Sequence, residues 1–286
     1  MKKLVFIYVL CFIALCGCDT SAGYTGVTDD TDSLETEVPG KDDITFCLKS
    51  DQQTIDLLEQ SIYNIEFSRR VSMSDIREQF DSVTWVVSDK EGHVRSYCIM
   101  NSDKQIFQWS HNFCYPGTYQ TCLVGYKKGL ETYRSKALTL EVNALKDFLG
   151  WRWDEFPGAS KPLSCVNVFN PDFELTYNSQ LSDNGVPGWN VYLFNFKGED
   201  DQRFYEQSSA SLYRYMVELY GQPSVDRDTA DLAAVYAAEF AYHEKDACPL
   251  AIWRTAGTRI ALLRIDKEWP VARIYAEPVS VDNDKE

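Results

Sequence analysis

The sequence predicts a chain of two folded domains, an all-β sandwich over residues 44–142 followed by an α+β domain over residues 143–280. Two observations predict this division. In the first part, about seven short segments rich in β-branched and aromatic residues follow one another, separated by turn formers, which is typical of a sandwich. After residue 143 the hydrophobic period changes, because strand-like runs there alternate with stretches of helical spacing.

The chain begins with a stretch that is typical of an export signal. A pair of lysines precedes an apolar run from Leu4 to Leu15, which is about a dozen residues long and too short for a bilayer-spanning helix of roughly 20. The motif LCGC at residues 15–18 then resembles the lipobox of bacterial lipoproteins, in which a peptidase cuts before the cysteine that carries diacylglycerol. The resemblance implies a signal peptide over residues 1–17 and a lipid anchor on Cys18. The alternative is a simple secretory signal.

An acidic segment separates this leader from the first domain. Residues 18–43 hold eight carboxylates against one lysine and few apolar side chains, so the segment cannot bury enough surface to offset its ordering entropy. We expect a flexible tether with a reach on the order of 25 to 30 Å. Calcium binding or a sorting signal is the alternative role for its acids. A short acidic tail is expected at residues 281–286.

The formal net charge of −15 argues against one class of partner. A nucleic acid or an anionic lipid surface would repel so acidic a chain. The membrane is therefore expected to be a partner only through the lipid anchor. We expect the protein at the cell envelope, at the outer membrane, and the sequence does not indicate which side it faces.

Nine cysteines are present, and loss of the leader together with lipidation of Cys18 leaves six for the folded domains. These six are Cys47, Cys98, Cys114, Cys122, Cys165 and Cys248. In an oxidising envelope they allow up to three disulfides in roughly 15 connectivities, between which the sequence does not choose. The chain has no C-x-x-C motif and only three histidines, so no metal site and no cofactor is expected.

One stretch of the first domain carries a family resemblance. The segment CYPGTYQTCLVGYKKGLETYRSKALTLEV, residues 114–142, resembles the end of a polycystic-kidney-disease (PKD) type domain, which is an immunoglobulin-like sandwich. The resemblance implies that the Pro-Gly pair shapes a turn, that Tyr119 is buried at the corner and that Trp85 packs between the two sheets. The chain departs from the family after Trp85, because residues 87–92 replace a Phe-Gly-Asp-Gly turn. Such a domain implies a spacer or interaction module.

The second domain is predicted to be a mostly antiparallel sheet with two helices on one of its faces. Residues 143–153 are expected to form a short entry helix, because Leu145, Phe148 and Leu149 recur there at helical spacing. A longer helix, capped by Ser208 or Ser209, is expected to end at Gly221, because glycine allows a left-handed stop. Another helix is expected to start at Asp228. We identify no family for this domain.

No motif in the sequence indicates a reaction, so no catalytic residue is predicted. The chain lacks a G-x-S-x-G elbow, a phosphate-binding loop and an H-E-x-x-H pair. The histidines are expected at the surface or at caps, and helix capping explains Asp228 and Asp231 better than calcium binding does. Carboxylates are plentiful, so a glycan-active hydrolase with a carboxylate pair in the second domain is an alternative function.

Three tryptophans are the candidate ligand-binding residues. Trp151 and Trp153 flank Arg152, and Trp189 lies in the sequence GVPGWN, where a loop is expected. Flat aromatic faces stack on sugar rings, and loops on a rigid scaffold often carry such contacts. The alternative is that all three fill the core. We therefore expect a non-catalytic envelope protein that binds a glycan or a protein ligand. A purely structural assembly protein is a further alternative.

Overall fold

The structure is a computed structural model, which describes residues 43–170, 173–193, 201–226, 231–265 and 271–279. The predicted signal peptide, the lipid attachment at Cys18, the acidic tether up to residue 42 and the acidic tail all lie outside the described residues. Residues 41–286 belong to one compact unit.

Strands predominate in this unit. The elements of its first part are β1 (Phe46–Lys49), β2 (Thr54–Ile55), β3 (Gln60–Phe67), α1 (Met73–Gln79), β4 (Ser82–Asp89), β5 (Val94–Met100), β6 (Gln108–Asn112), β7 (Gly117–Lys127), β8 (Leu130–Arg134) and β9 (Leu138–Val142). The elements of its second part are β10 (Leu163–Val166), β11 (Glu174–Leu181), β12 (Pro187–Leu193), α2 (Asp201–Tyr220), β13 (Val225–Asp226), α3 (Leu232–Glu239), β14 (Ala247–Arg254), β15 (Thr258–Ile265) and β16 (Val271–Pro278). Within the described ranges, no helix has both the length and the apolar composition needed to cross a membrane.

Two sheets make up the first part. One sheet contains β1, β3 and β6, and the other contains β2, β9, β7, β4 and β5, with β8 paired to β7. The ring of Trp85 on β4 lies 5.8 Å from that of Tyr63 on β3 and 5.7 Å from that of Trp109 on β6. Trp85 is only 1% exposed, so it fills the space between the sheets as the sequence predicted.

The corner before β7 also has the predicted geometry. Gly117 has a φ of 146°, a value that favours glycine. The buried Tyr119 follows it, and its hydroxyl donates a hydrogen bond to the carbonyl oxygen of Tyr115 at 2.9 Å. A hydrogen bond of this kind resembles the tyrosine corner of immunoglobulin-like sandwiches. Membership of the PKD type stays a prediction.

The second part is built on one antiparallel sheet, in the order β10-β11-β12-β16-β15-β14-β13. The sequence prediction that both helices lie on one face is wrong. Tyr215 of α2 belongs to the same buried cluster as Leu262 of β15, whereas Tyr236 of α3 packs with Leu263 of β15. Because successive residues of a strand point to opposite faces, α2 and α3 cover opposite faces of the sheet.

The longer helix begins earlier than the sequence predicted. Since α2 starts at Asp201, Ser208 and Ser209 lie inside the helix rather than at its cap. The hydroxyl of Ser209 donates to the carbonyl oxygen of Glu206 at 3.1 Å, which satisfies a serine in a helix interior. The predicted end is confirmed, because Gly221 has a φ of 77°.

The shorter helix α3 is capped by Asp231. Its carboxylate accepts hydrogen bonds from the backbone N–H groups of Ala233 and Ala234, which accounts for an aspartate at this position without a cation. The predicted start at Asp228 lies outside the described residues.

Residues 143–153 follow an irregular path with a tight turn at residues 148–151, instead of the predicted entry helix. The backbones of Phe148 and Trp151 exchange two hydrogen bonds of 3.1 and 2.9 Å, and Leu149 between them has a φ of 49°. The side chains of Phe148 and Leu149 are both fully buried. The apolar residues that suggested a helical stripe are therefore drawn into the core from a turn.

The two parts share one apolar core. The hydroxyl of Tyr97 in the first part donates to the carbonyl oxygen of Val168 at 2.6 Å, and the hydroxyl of Tyr215 in α2 donates to that of Cys114 at 2.9 Å. The predicted boundary at residue 142 falls within this packed region. The division into two domains stays a prediction.

His111 is not the surface or capping residue that the sequence predicted. Its ring lies in β6, 5.6 Å from the ring of Trp85 and 5.7 Å from that of Phe113. Its Nε2 atom is buried without a hydrogen-bond partner among the described residues. Burial lowers the pKa of His111 to about 4, so the ring is neutral at physiological pH.

Exchange of His111 for phenylalanine is expected to remove part of the protein's sensitivity to acid. The unfolded chain protonates this histidine below a pH of about 6.5, whereas the folded chain does so only near pH 4. The wild-type free energy of unfolding therefore falls as the pH drops between these values, by on the order of 3 kcal/mol. Phenylalanine keeps a flat aromatic ring at this position and binds no proton. Urea titrations at several pH values test this, and parallel pH profiles for the two proteins would contradict it.

Candidate functional site

A cavity of about 590 Å³ opens where the first part of the unit meets the second. Its walls come from residues 56–60 of the first part, from the turn region around Trp151, and from Tyr177 and Trp189 of the second part. The volume lies within the range of about 300 to 1,000 Å³ that is usual for small-molecule sites. The cavity brings together two of the three tryptophans that the sequence indicated.

Trp151 and Trp189 form a parallel stack in this cavity. Their ring centroids are 3.9 Å apart and their planes differ by 9°. The ring of Tyr177 lies 5.0 Å from that of Trp151, and the ring of Phe156 meets Trp189 edge-on at 5.9 Å. Packing on several sides holds both indoles in fixed positions, so the stack is a rigid aromatic wall.

Trp189 does not lie in a loop as the sequence predicted. It lies in β12, paired with Ser179 of β11 and Ala276 of β16, and it is only 5% exposed. Trp151 is half-buried and presents the larger exposed area. A ligand in the cavity therefore meets Trp151 first, with Trp189 supporting it from the sheet.

Two turns that touch through their backbones place Trp151 at the cavity. One contains Leu57 and Leu58, and the other contains Leu149 and Gly150. A Cβ atom at Gly150 would lie 2.1 Å from the carbonyl oxygen of Leu57, a distance that no side chain can occupy. Glycine at this position is what allows the turns to approach and to form adjoining walls.

An ion pair lies under the rim of the cavity. Asp56 pairs with Lys146 and accepts a hydrogen bond of 2.9 Å from the amide of Asn143. Burial opposes the negative charge, but the hydrogen bonds from Asn143 and Lys146 outweigh it and lower the pKa of Asp56. The positive charges of Lys146 and Arg152 act in the same direction. Asp56 is therefore a fixed anion.

Two charged side chains of the lining are free to meet a ligand. Arg152 and Glu155 both line the cavity and are exposed. Neither forms a hydrogen bond or an ion pair with another residue in the described part of the chain. A guanidinium and a carboxylate beside an aromatic wall provide donors and acceptors for a polar ligand.

Trp153 has a different role from the other two tryptophans and does not line this cavity. Its indole Nε1 donates to the hydroxyl of Thr258 at 2.9 Å, and that hydroxyl donates to the carbonyl oxygen of Asp147 at 2.6 Å. The backbone N–H of Trp153 binds the carboxylate of Asp147 at 2.9 Å. Trp153 therefore ties the turn to the end of the large sheet.

Carboxylates line the cavity, but two of them are engaged in local structure. Asp56 is paired with Lys146, and the carboxylate of Glu59 accepts the backbone N–H of Asp56 at 2.8 Å. Glu155 is the one carboxylate of the second part among the described lining residues. A carboxylate pair contributed by the second part, which the hydrolase alternative needs, is not found in this lining.

One group of possible metal ligands lies elsewhere, in the turn between β4 and β5. The ligand atoms of Asp89, Glu91 and His93 lie within 4.8 Å of one another. His93 Nδ1 and the carboxylate of Asp89 are 2.8 Å apart, and this hydrogen bond, followed by the charge of Asp89, raises the pKa of His93. An acidic hairpin turn accounts for the group, and we propose no metal site there.

The sequence reasoning missed several residues of the lining. Arg152 was named only as the residue between two tryptophans, and Glu155 was not named. Both fall in the segment WRWDEFPG, whose mixture of aromatic and charged residues was the available signal. No local signal identified Asp56 or Lys146, because their pairing depends on how the two turns meet.

Comparison of the chain with the models of known protein families finds no match, and a search of curated proteins finds no similar sequence.

Proposed function

We propose that the protein is a non-catalytic lipoprotein of the cell envelope that binds a glycan in the cavity beside Trp151. The observation that carries the glycan assignment is the stack of Trp151 on Trp189, whose ring centroids are 3.9 Å apart, in a cavity that two exposed charged side chains also line. The leader and its lipobox motif support the anchor on Cys18 and a location at the outer membrane. The acidic tether would hold the binding unit away from the membrane surface.

The chemistry of a sugar matches this lining. A pyranose has an apolar C–H face, which an indole ring can cover, and a circumference of hydroxyl groups, which need hydrogen-bond partners. Trp151 supplies the aromatic surface, and Arg152 and Glu155 supply a donor and an acceptor at its edge. A wall fixed by surrounding rings loses little side-chain entropy when a ligand binds, which favours affinity.

Binding without hydrolysis fits the charges at the cavity. A glycoside hydrolase needs one carboxyl group that stays protonated to serve as the general acid. The pKa of Asp56 is lowered, which is the wrong direction for that task, and its ion pair with Lys146 holds the carboxylate in place. Asp56 therefore serves the structure of the cavity.

A glycan array probed with the full chain in detergent, followed by calorimetric titration of the best ligand, tests the proposal. We expect saturable binding to at least one polysaccharide or oligosaccharide, with no new reducing ends after prolonged incubation. Absence of binding to every glycan would contradict the proposal, and release of reducing ends would favour a hydrolase.

Mass spectrometry of the mature amino terminus tests the anchor separately, because an unmodified chain would exclude lipidation of Cys18.

A further inference from the structure

Two cysteines from different parts of the unit meet in its core. The Sγ atoms of Cys114 and Cys165 are 3.1 Å apart, and the residues are 2% and 1% exposed. All six cysteines in the described part of the chain are free thiols, and Cys114 and Cys165 are the two among them whose sulfurs meet. The sequence leaves open which of the six cysteines pair with each other, and the structure favours the pairing of Cys114 with Cys165.

We propose that Cys114 and Cys165 form a disulfide that joins the first part of the protein to the second. A disulfide requires sulfurs about 2.05 Å apart, so the two thiols are about 1 Å from bonding distance. Rotation about the side-chain bonds of the two residues can supply a movement of this size.

The location of the pair gives the bond its structural role. Cys114 lies in the segment between β6 and β7, and its carbonyl oxygen accepts a hydrogen bond from Tyr215 of α2. Cys165 lies in β10, the edge strand of the large sheet, where it is paired with Leu175. The bond would therefore fasten the edge of the large sheet to the sandwich.

The bond would also clamp the walls of the cavity, an inference that rests on the proposed function. Asn112 is two residues before Cys114 and Ser164 directly precedes Cys165, and both line the cavity. The cross-link fixes these walls relative to each other before a ligand arrives. Preorganisation of this kind lowers the ordering cost of binding.

The reaction needs an oxidant, which we take to be a small-molecule disulfide or the disulfide of an envelope oxidoreductase. A thiolate of the pair attacks the oxidant and releases one thiol. The second thiolate then attacks the mixed disulfide and releases the other. The two cysteines lose two protons and two electrons in total, and the oxidant's S–S bond is reduced to two thiols.

The surroundings of the pair indicate when the bond forms. The hydrogen bond to Cys165 and burial raise the pKa of the Cys114 thiol, so little of the reactive thiolate exists in the folded protein. Oxidation is therefore expected during folding, while the thiols are still accessible. Once formed, the bond is shielded from reductants until the protein unfolds.

Peptide mapping of the wild-type chain tests the bond without any substitution. Reduced, unfolded protein is refolded with oxidised glutathione, free thiols are blocked with iodoacetamide, and the product is digested with trypsin and chymotrypsin. We expect a peptide that contains Cys114 to be linked to a peptide that contains Cys165. The two peptides should separate on reduction. Complete alkylation of both cysteines, or linkage of either one to a different cysteine, would overturn the proposal. This result does not depend on whether the protein binds a glycan.

Stability measurements supply a second test with a matched control. The bond joins residues 51 positions apart in the chain, so its loss is expected to raise the unfolding equilibrium constant about 1,000-fold. Cys165→Ala should show this change under oxidising conditions and no further change when a reductant is added. Cys122→Ala should keep the response of the wild type to reductant. The wild-type chain is also unfolded, treated with reductant and refolded. An unchanged free energy of unfolding after this treatment would contradict the proposal.

Discussion

Exchange of Gly150 for alanine is expected to lower the free energy of unfolding by about 3 kcal/mol. The added Cβ atom would lie 2.1 Å from the carbonyl oxygen of Leu57, and a backbone atom cannot move aside as a flexible side chain can. Relief of the clash requires the two turns to separate, which exposes the buried Phe148 and Leu149. Chemical denaturation followed by tryptophan fluorescence measures the loss.

The control for this exchange is Gly257→Ala. A Cβ atom at Gly257, in the turn between β14 and β15, would have no heavy atom within 4 Å. The control should therefore be close to wild type in stability. Equal stability of the two variants would show that the close approach of the two turns is not required.

Exchange of Trp151 for alanine is expected to weaken glycan binding roughly 10- to 100-fold, because aromatic anchors in a preformed pocket contribute about 1.5 to 3 kcal/mol. The exchange removes the ring that a sugar would cover and leaves Trp189 in the sheet without its stacking partner. Trp151→Phe keeps an aromatic face and should lose less affinity. Calorimetric titration with the same glycan compares the three proteins.

Phe107→Ala is the control for that series. Phe107 is 45% exposed and lines a different groove, beside Phe67. Its removal should leave glycan affinity unchanged. If Phe107→Ala loses as much glycan affinity as Trp151→Ala, the ligand is not bound in the cavity. The same conclusion follows if Trp151→Ala keeps the affinity of the wild type.

Much of the strand content was predictable, because a strand carries its period in adjacent residues. The segments of the first part that are rich in β-branched and aromatic residues coincide with strands. Strand β4 shows the alternation in full, with Val83, Trp85 and Val87 buried. The helix α1 was missed although it has a capping box formed by Ser72 and Asp75. The motif S-x-x-D does precede a short helical run there, but seven residues give too few turns for a hydrophobic stripe.

The errors arise where tertiary contacts override the local pattern. Residues 143–153 have the apolar spacing of a helix, yet Phe148 and Leu149 are buried from a turn held by Tyr220. The position of α3 on the face opposite α2 is also not encoded locally, since a strand buried on both faces shows no alternation. The run Ile260 to Leu263 is such a strand, with every residue buried.

The candidate site was only partly predictable for the same reason. The sequence indicated the tryptophans as a group, and the structure unites Trp151 with Trp189 while it uses Trp153 as a structural tie. Nothing near Trp189 in the chain indicates that Trp151 will stack on it, because 38 positions separate them. The adjoining walls depend on the meeting of two turns, which only the folded chain shows.

A crystal structure of the protein with an oligosaccharide selected by the glycan array tests whether the cavity beside Trp151 is the glycan site. We expect a sugar ring against Trp151, with its hydroxyl groups within hydrogen-bond distance of Arg152 or Glu155. A sugar bound elsewhere on the protein, with the cavity beside Trp151 empty at saturating ligand, would contradict it.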